Sequence, residues 1–335
     1  MPELSLIATL PSRASHQIPF ILSSFDLPTH DDDPRADNSG AIASTAEIQP
    51  QNMNVDFSHC IYREAHAEPI SSYIISDQST GSRTIVNHND LDEMTLYEFK
   101  ARANDILEPK PSSMGVQQIK DNGNEVQQIW FHFEGRIPPT TLECIRYLRR
   151  HAAVTGKDRA PATVTLKISV ELEKPHREGL QELAYEADLM FYSRSWAEGE
   201  GYVSATDCLR KQAAVLGSAA DGSACYEGTL VCTWGDQGAC ALSLPCEVGE
   251  ECGSLVSSQA FEAGGELVVD TVGAGDTFVA GLLFGYLCRD NVVSDADAFW
   301  SLRQKLDFAN ELAGRKVVQQ GFGGLGVQVK GMLDA

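Results

Sequence analysis

Asp270-Thr271-Val272-Gly273-Ala274-Gly275-Asp276 is the stretch on which the reading of the fold turns. It follows an apolar strand candidate, Leu267-Val268-Val269, and leads into a helix-like run over residues 277–288 whose first turn carries Asp276. Glycine lacks a Cβ, so backbone here can approach a ligand closely. The first N–H groups of a helix have no partner within it, and the helix dipole adds partial positive charge at that end. Such a turn suits an anion, above all a phosphate. A carboxylate beside it can accept a proton from a hydroxyl while the N–H groups meet charge on a transferring phosphoryl group. A lone Gly-x-Gly is ordinary helix-start sequence. The whole string, set between a strand and a helix, is more specific.

Outward from that turn, strands alternate with helices. Residues 163–172 alternate strictly, with Val164, Leu166, Ile168, Val170 and Leu172 against polar neighbours, which is strand periodicity. Short apolar runs at 4–10, 129–133, 188–193 and 229–234 read as further strands. Amphipathic runs at 140–151 and 306–318 read as helices, and helix-like sequence follows the strand at 188–193 through residue 211. Residues 18–22 suggest another helix, and 89–110 is polar and partly helical. This order implies a doubly wound, mainly parallel sheet with ligands at the carboxyl ends of its strands. Arg136, Glu173, Lys174 and the run Gly235-Asp236-Gln237-Gly238 all fall at such ends. Runs 71–76 and 83–87 flank a hairpin-type turn and read as a small accessory β lid within 54–90. Residues 112–126 look loop-like. Residues 27–53, with Asp31-Asp32-Asp33 and few large apolar side chains, read as a disordered acidic insertion in one domain spanning 1–335.

The net charge of -21 argues against non-specific nucleic-acid binding, which needs basic patches. Nine cysteines are scattered without C-x-x-C spacing, so reduced thiols and a cytoplasmic location are expected rather than disulfides or a zinc site. No stretch is apolar and long enough to span a membrane, and Met1-Pro2-Glu3-Leu4 has no basic region ahead of its short apolar run, so no secretory signal is expected.

The string D-T-V-G-A-G-D-T-F resembles the C-terminal signature of the ribokinase-like (pfkB) carbohydrate kinases. Gly81-Ser82-Arg83-Thr84-Ile85-Val86, His132-Phe133-Glu134-Gly135-Arg136, 169–175 (SVELEKP) and 308–314 (FANELAG) resemble segments of its ketohexokinase branch, from about residue 55 to about 326. The resemblance implies ATP- and Mg2+-dependent phosphorylation of a ketose, D-fructose to fructose 1-phosphate. It places the catalytic base on Asp276 and the anion hole on Gly273, Ala274 and Gly275. By matching position, Arg136 contacts the sugar and the transferring phosphate. Asp236 and Gly238 lie beside the ribose and phosphates, Ala274, Phe278 and Asn310 flank the adenine, and Lys174 lies near the phosphates. Glu173 holds magnesium through water. The resemblance also admits a monovalent cation such as K+ and a homodimer through the lid, with no membrane or nucleic-acid partner.

The chain departs from that pattern in places. Tyr192-Ser193-Arg194-Ser195-Trp196-Ala197 stands where many ribokinase relatives carry Asn-x-x-Glu, and Ile137-Pro138 follows Arg136 where a polar residue is usual. The strand at 4–10 matches one that follows the family's N-terminal sugar-binding segment. The expectation is therefore an N-terminally truncated ribokinase-like fold, lacking roughly the first fifty residues by typical strand–helix unit lengths. The alternative function is a truncated or degenerate relative that binds nucleotide without phosphorylating a sugar, or a ribokinase- or adenosine kinase-type activity.

Overall fold

The alternating run becomes a ten-residue strand, Thr163–Leu172, inside a seven-stranded sheet. The computed structural model describes residues 4–23, 55–76, 83–107, 118–121, 124–158, 163–217, 226–244, 255–261, 267–289 and 299–333. They fall in two compact units, Glu3–Gly115 and Val116–Ala335. The reading of 27–53 as a disordered insertion and the hairpin turn at 77–82 lie outside the described residues.

In the first unit, the expected strand at 4–10 is two short ones. β1 (Leu4–Ser5) and β2 (Thr9–Pro11) pair in parallel with β3 (Val55–Asp56) and β4 (Ile61–Arg63) respectively. Leu4 is exposed, and the buried apolar cluster here consists of Leu10, Cys60 and Ile18 from α1 (Ile18–Ser23). A full-length buried strand needs partners along its whole edge, and these two partners are short and separate. β5 (Ser71–Ser76) and β6 (Arg83–His88) form the expected antiparallel hairpin, with Tyr73 opposite Val86 and Ile74 opposite Ile85. α2 (Leu96–Leu107) buries Phe99, Ala103 and Leu107, a four-residue repeat that places all three on one face. Its start carries a capping box. Glu98 Oε2 accepts from the Thr95 N–H at 2.9 Å, and Thr95 Oγ1 accepts from the Glu98 N–H at 3.3 Å.

The second unit is built on β7 (Gln118–Asp121), β8 (Asn124–Glu134), β9 (Thr163–Leu172), β10 (Leu189–Tyr192), β11 (Gly228–Thr233), β12 (Ala239–Leu244) and β13 (Leu255–Ser258), which neighbour one another in that order. β8 to β11 are parallel. β7, β12 and β13 join antiparallel at the two edges. The sheet is therefore parallel only at its centre. The expected loop at 112–126 contains β7, which lengthens β8 at its start, and the sequence reading had no counterpart for β12 and β13.

Helices cover both faces. α3 (Pro138–Asp158), α4 (Leu180–Ala184), α5 (Arg194–Gly199) and α6 (Ala205–Gly217) follow the parallel strands. Tyr192 Oη donates to Gln212 Oε1 of α6 at 3.3 Å, and Thr206 Oγ1 lies 3.5 Å from Cys240 Sγ, so α6 lies on one face. On the other, Leu189, Phe191, Val231, Ala239 and Ala241 pack against Phe278, Val279 and Leu282 of α7 (Ala274–Phe284) and Leu306 and Ala309 of α8 (Leu302–Val317). This buried cluster fixes where α7 begins. It begins at the carboxyl ends of the parallel strands, where crossover folds place their ligands.

Residues 267–269 are not the expected strand. Leu267, Val268 and Val269 are exposed, and the N–H groups of Val269 and Asp270 both donate to the Val317 carbonyl, at 2.7 and 3.0 Å. Their backbone is satisfied by the end of α8 rather than by a ladder.

Candidate functional site

The turn before α7 is shaped by Gly273. Its φ is +76°, a left-handed conformation that side chains with a Cβ adopt only at a cost. A Cβ built there would stand 2.5 Å from Phe322 Cζ. No side chain caps the helix; the Ala274 N–H reaches back to the Thr271 carbonyl at 3.4 Å, and the N–H groups that follow it are left to a ligand. Thr277 ties the turn to the helix from within, its Oγ1 donating to the Gly273 carbonyl at 2.7 Å. Asp276 therefore sits in the first turn beside a ring of N–H groups, as the sequence implied.

Asp276 does not stand alone. Burial, then the Glu171 and Glu173 carboxylates, raise its carboxyl above the ordinary value, and His132 pulls the other way. Part of its side chain meets solvent, yet the crowd around it removes enough hydration to disfavour the charge. Glu134 is raised in the same manner, by burial, Glu171 and Asp276, against His132 and Arg136. The ends of β8 and β9 thus bring His132, Glu134, Glu171 and Glu173 to the start of α7, with Arg136 acting on Glu134.

A chain of hydrogen bonds fixes part of this corner. Trp130 Nε1–H donates to Ser169 Oγ at 2.8 Å. Ser169 Oγ lies 2.8 Å from His132 Nδ1, and His132 Nε2 lies 2.8 Å from Glu171 Oε1. An ionised carboxylate only accepts, so a neutral His132 carries its proton on Nε2 and takes the serine proton at Nδ1. Trp130, Ser169, His132 and Glu171 had no role in the sequence reading. The available signal was that His132, Ser169 and Glu171 lie inside the quoted strings, each an even step from Arg136 or Glu173 along a strand and so on one face.

Arg136 stands two residues past β8, in the turn after Gly135, and is exposed. Glu173 and Lys174 follow β9, both exposed, and pair with each other at 3.0 Å. Among the described residues no group of three or more His, Cys, Asp or Glu side chains is arranged to hold a metal ion by itself. Asp236 is exposed after β11, 3.8 Å from Arg194 Nη1. Gly238 has φ +83°, and a Cβ there would meet the Ser258 carbonyl oxygen at 2.1 Å. Asn310 Nδ2 donates to that same carbonyl at 3.2 Å. Gly238 and Asn310 are therefore brought together on one backbone oxygen. Phe278 is buried in the core beneath α7, packed with sheet and α8 side chains.

The sequence pattern of the pfkB family carbohydrate kinases matches residues 54–325. The ketohexokinase of Mus musculus is 28% identical over 287 residues, covering 85% of this chain and 78% of that protein. Among solved structures, the adenosine kinase of Schistosoma mansoni in complex with 2-fluoroadenosine superposes with a TM-score of 0.57 at 14% identity, covering 95% of this chain and 74% of that one. The ribokinase of Giardia lamblia gives 0.50 at 14%, covering 79% and 70%.

Proposed function

This chain belongs to the pfkB family of carbohydrate kinases, and on that premise we propose that its acceptor is a ketose, D-fructose, phosphorylated at O1 to fructose 1-phosphate. The observation that carries this reading is Asp276 in the first turn of an uncapped, glycine-opened helix, its carboxyl held above the ordinary range among Glu171 and Glu173. A carboxyl raised in that way is a better proton acceptor once ionised. In this reading Asp276 takes the proton of the acceptor hydroxyl. The N–H groups at Gly273, Ala274 and Gly275 face the charge that develops on the transferring group, and Arg136 supplies fixed donors to its oxygens. Catalysis is then mainly positioning and electrostatics, as phosphoryl transfer requires.

ATP is the donor a carbohydrate kinase of this family uses. The residues fit it: an open helix start for phosphates, then Gly238 and Asn310 grouped by the Ser258 carbonyl for the nucleoside side, with the exposed Asp236 beside Gly238 and with Ala274 and Phe278 assigned to the adenine in this reading. In this reading Lys174, exposed beside Glu173, meets the phosphates. Magnesium, when bound with the nucleotide, neutralises phosphate charge, and Glu173 is the side chain that would hold it through water. The likeness to the mouse ketohexokinase supports the ketose, and the sequence pattern leaves ribose and adenosine as rivals.

The test is coupled ADP release by the purified chain with Mg2+, ATP and each of fructose, ribose and adenosine, with 31P NMR of the product. Fructose-dependent turnover giving a 1-phosphate supports the proposal. Preference for ribose or adenosine, or no sugar-dependent turnover, overturns it.

A further inference from the structure

Lys316, in the last turn of α8, is fully buried, which is unusual for a lysine. Its Nζ donates to Asp270 Oδ2 at 2.7 Å and to the Asp270 carbonyl at 3.1 Å. The Phe322 ring covers the ammonium, its centroid 5.1 Å away, and fills the space that a Cβ on Gly273 would need. The Asp270 carboxylate also accepts from the Val272 N–H at 2.9 Å and from the backbone of Gly321. Val317, the next residue along, takes the N–H groups of Val269 and Asp270. Residues 269–273 are therefore suspended from the end of α8 at two adjacent residues, and only Lys316 does so through a side chain.

We propose that Lys316 is a positioning residue for phosphoryl transfer: its buried ammonium holds Asp270, and through Asp270 the turn 270–273, so that the first N–H groups of α7 and the Asp276 carboxylate keep their working geometry. This rests on the reading of that helix start as the phosphate site. The segment has no strand to hold it, and no side chain caps α7. The ammonium is fully buried while the Asp270 side chain keeps 19% exposure, and burying a lysine charge is an expensive way to fasten a loop, since an apolar contact of similar size stabilises a fold as well or better. What the ammonium supplies, and an apolar side chain lacks, is a fixed direction for the Asp270 carboxylate, which also accepts from the backbone of Val272 and Gly321.

Lys316→Met and the double variant Lys316→Met/Asp270→Asn separate positioning from stability. Lys316→Met takes the ammonium away from a partly buried carboxylate and lowers the unfolding temperature, while the double variant is neutral at the pair and recovers it. In both, kcat is expected to fall about 100-fold, the scale of a displacement of about 1 Å at a reacting centre. The sugar KM stays within about 3-fold, because the loss falls on geometry rather than on uniform binding. Affinity for a fluorescent ATP analogue drops about 10-fold, roughly the worth of one charge-assisted hydrogen bond. A double variant with recovered stability and wild-type kcat overturns the proposal, as does Lys316→Met with unchanged kcat. If the wild-type chain binds the analogue and phosphorylates none of the sugars, the acceptor reading fails, and the comparison of analogue affinities still decides the role of Lys316.

Discussion

Asp276→Asn should abolish catalysis and at the same time stabilise the protein. The carboxylate is pulled two ways. A negative charge in the first turn of a helix is favourable by about 0.3–1 kcal/mol. Against this stand loss of hydration and the carboxylates of Glu171 and Glu173, each of which repels by up to about 1 kcal/mol at near contact in water-like surroundings. The raised carboxyl shows that the unfavourable side wins. Because the side chain still meets solvent, the net gain on removing its charge is discounted to about 0.5–1 kcal/mol. For a chain of this size that is a rise of about 1–3 °C in unfolding temperature. The sign with pH follows from linkage. A carboxyl raised in the fold costs stability where it is ionised, above its folded-state value, and costs nothing where it is protonated in both states. The advantage of the Asn variant should therefore be full near neutral pH and fade as the pH falls through the raised value. The measurement is thermal unfolding of both proteins in low salt and EDTA across pH 4–8, beside kcat in the coupled assay. Loss of the base should lower kcat by about 10²–10⁴-fold. An Asn variant less stable than wild type at neutral pH would refute the electrostatic reasoning, and one retaining more than about a tenth of kcat would remove Asp276 from the role of base.

Gly273→Ala should cost about 1–2 kcal/mol for the left-handed backbone alone and lower kcat, since the new Cβ meets Phe322. Adding Phe322→Ala should relieve the clash and leave the backbone cost, read by urea unfolding. Phe278→Ala should destabilise by about 3–5 kcal/mol as a core truncation. A raised KM for ATP with unchanged stability would instead mean that the ring touches adenine. In the first unit, the Glu98 carboxyl is held down at about 2, chiefly by the Arg63 guanidinium, with Arg63 Nη2 donating to Oε2 at 3.1 Å. A lowered carboxyl stabilises the fold above its ordinary value and loses that effect as pH falls from about 4.5 towards 2. Partial exposure screens the pair to about 1 kcal/mol. Hydrogen-exchange protection factors at the start of α2, taken relative to the intrinsic rate at each pH, should therefore fall below pH 4 in the wild type and be less pH-dependent in Glu98→Gln.

The parallel centre of the sheet and the start of α7 were legible because their signals are local. Strict alternation over 163–172 has no helical reading, and a glycine pair before an apolar run can only be a turn into a helix. The edges were not legible. β12 carries cysteine and serine where a strand pattern expects branched side chains, and its strand character comes from pairing with β11, which no single-strand pattern encodes. Residues 267–269 failed in the opposite sense. Three branched apolar residues in a row look like a strand, but β-propensity needs a neighbouring edge, and the carbonyl of Val317 took the hydrogen bonds instead. The site divides along the same line. Asp276 and the glycines declare themselves within one short string. His132 and Glu171 become neighbours only through the register that sets His132 beside Ser169 and Glu134 beside Glu171, and register is tertiary information.

The pull on Asp276 and the burial of Lys316 have one physical cause. On the proposed function, a helix start that receives a phosphoryl group is left uncapped, and the carboxylate that serves it lies close to other acids without a resident partner. Both conditions cost stability, and both leave the turn without the side-chain bonds that normally hold a helix entry. The structure supplies the missing restraint from within α7 and from the end of α8. Thr277 binds back to the Gly273 carbonyl, and Lys316 and Val317 grip residues 269 and 270 from the end of α8. α8 is itself held by a capping box at its own start, Ser301 with Gln304, and by Leu306 and Ala309 in the core. The rigid parts of this unit therefore meet the reactive turn through α8 rather than through the sheet. A change anywhere along that helix that shifts its last turn should reach the anion-binding N–H groups before it reaches Glu171 or His132, which the sheet holds in place by the β8–β9 ladder.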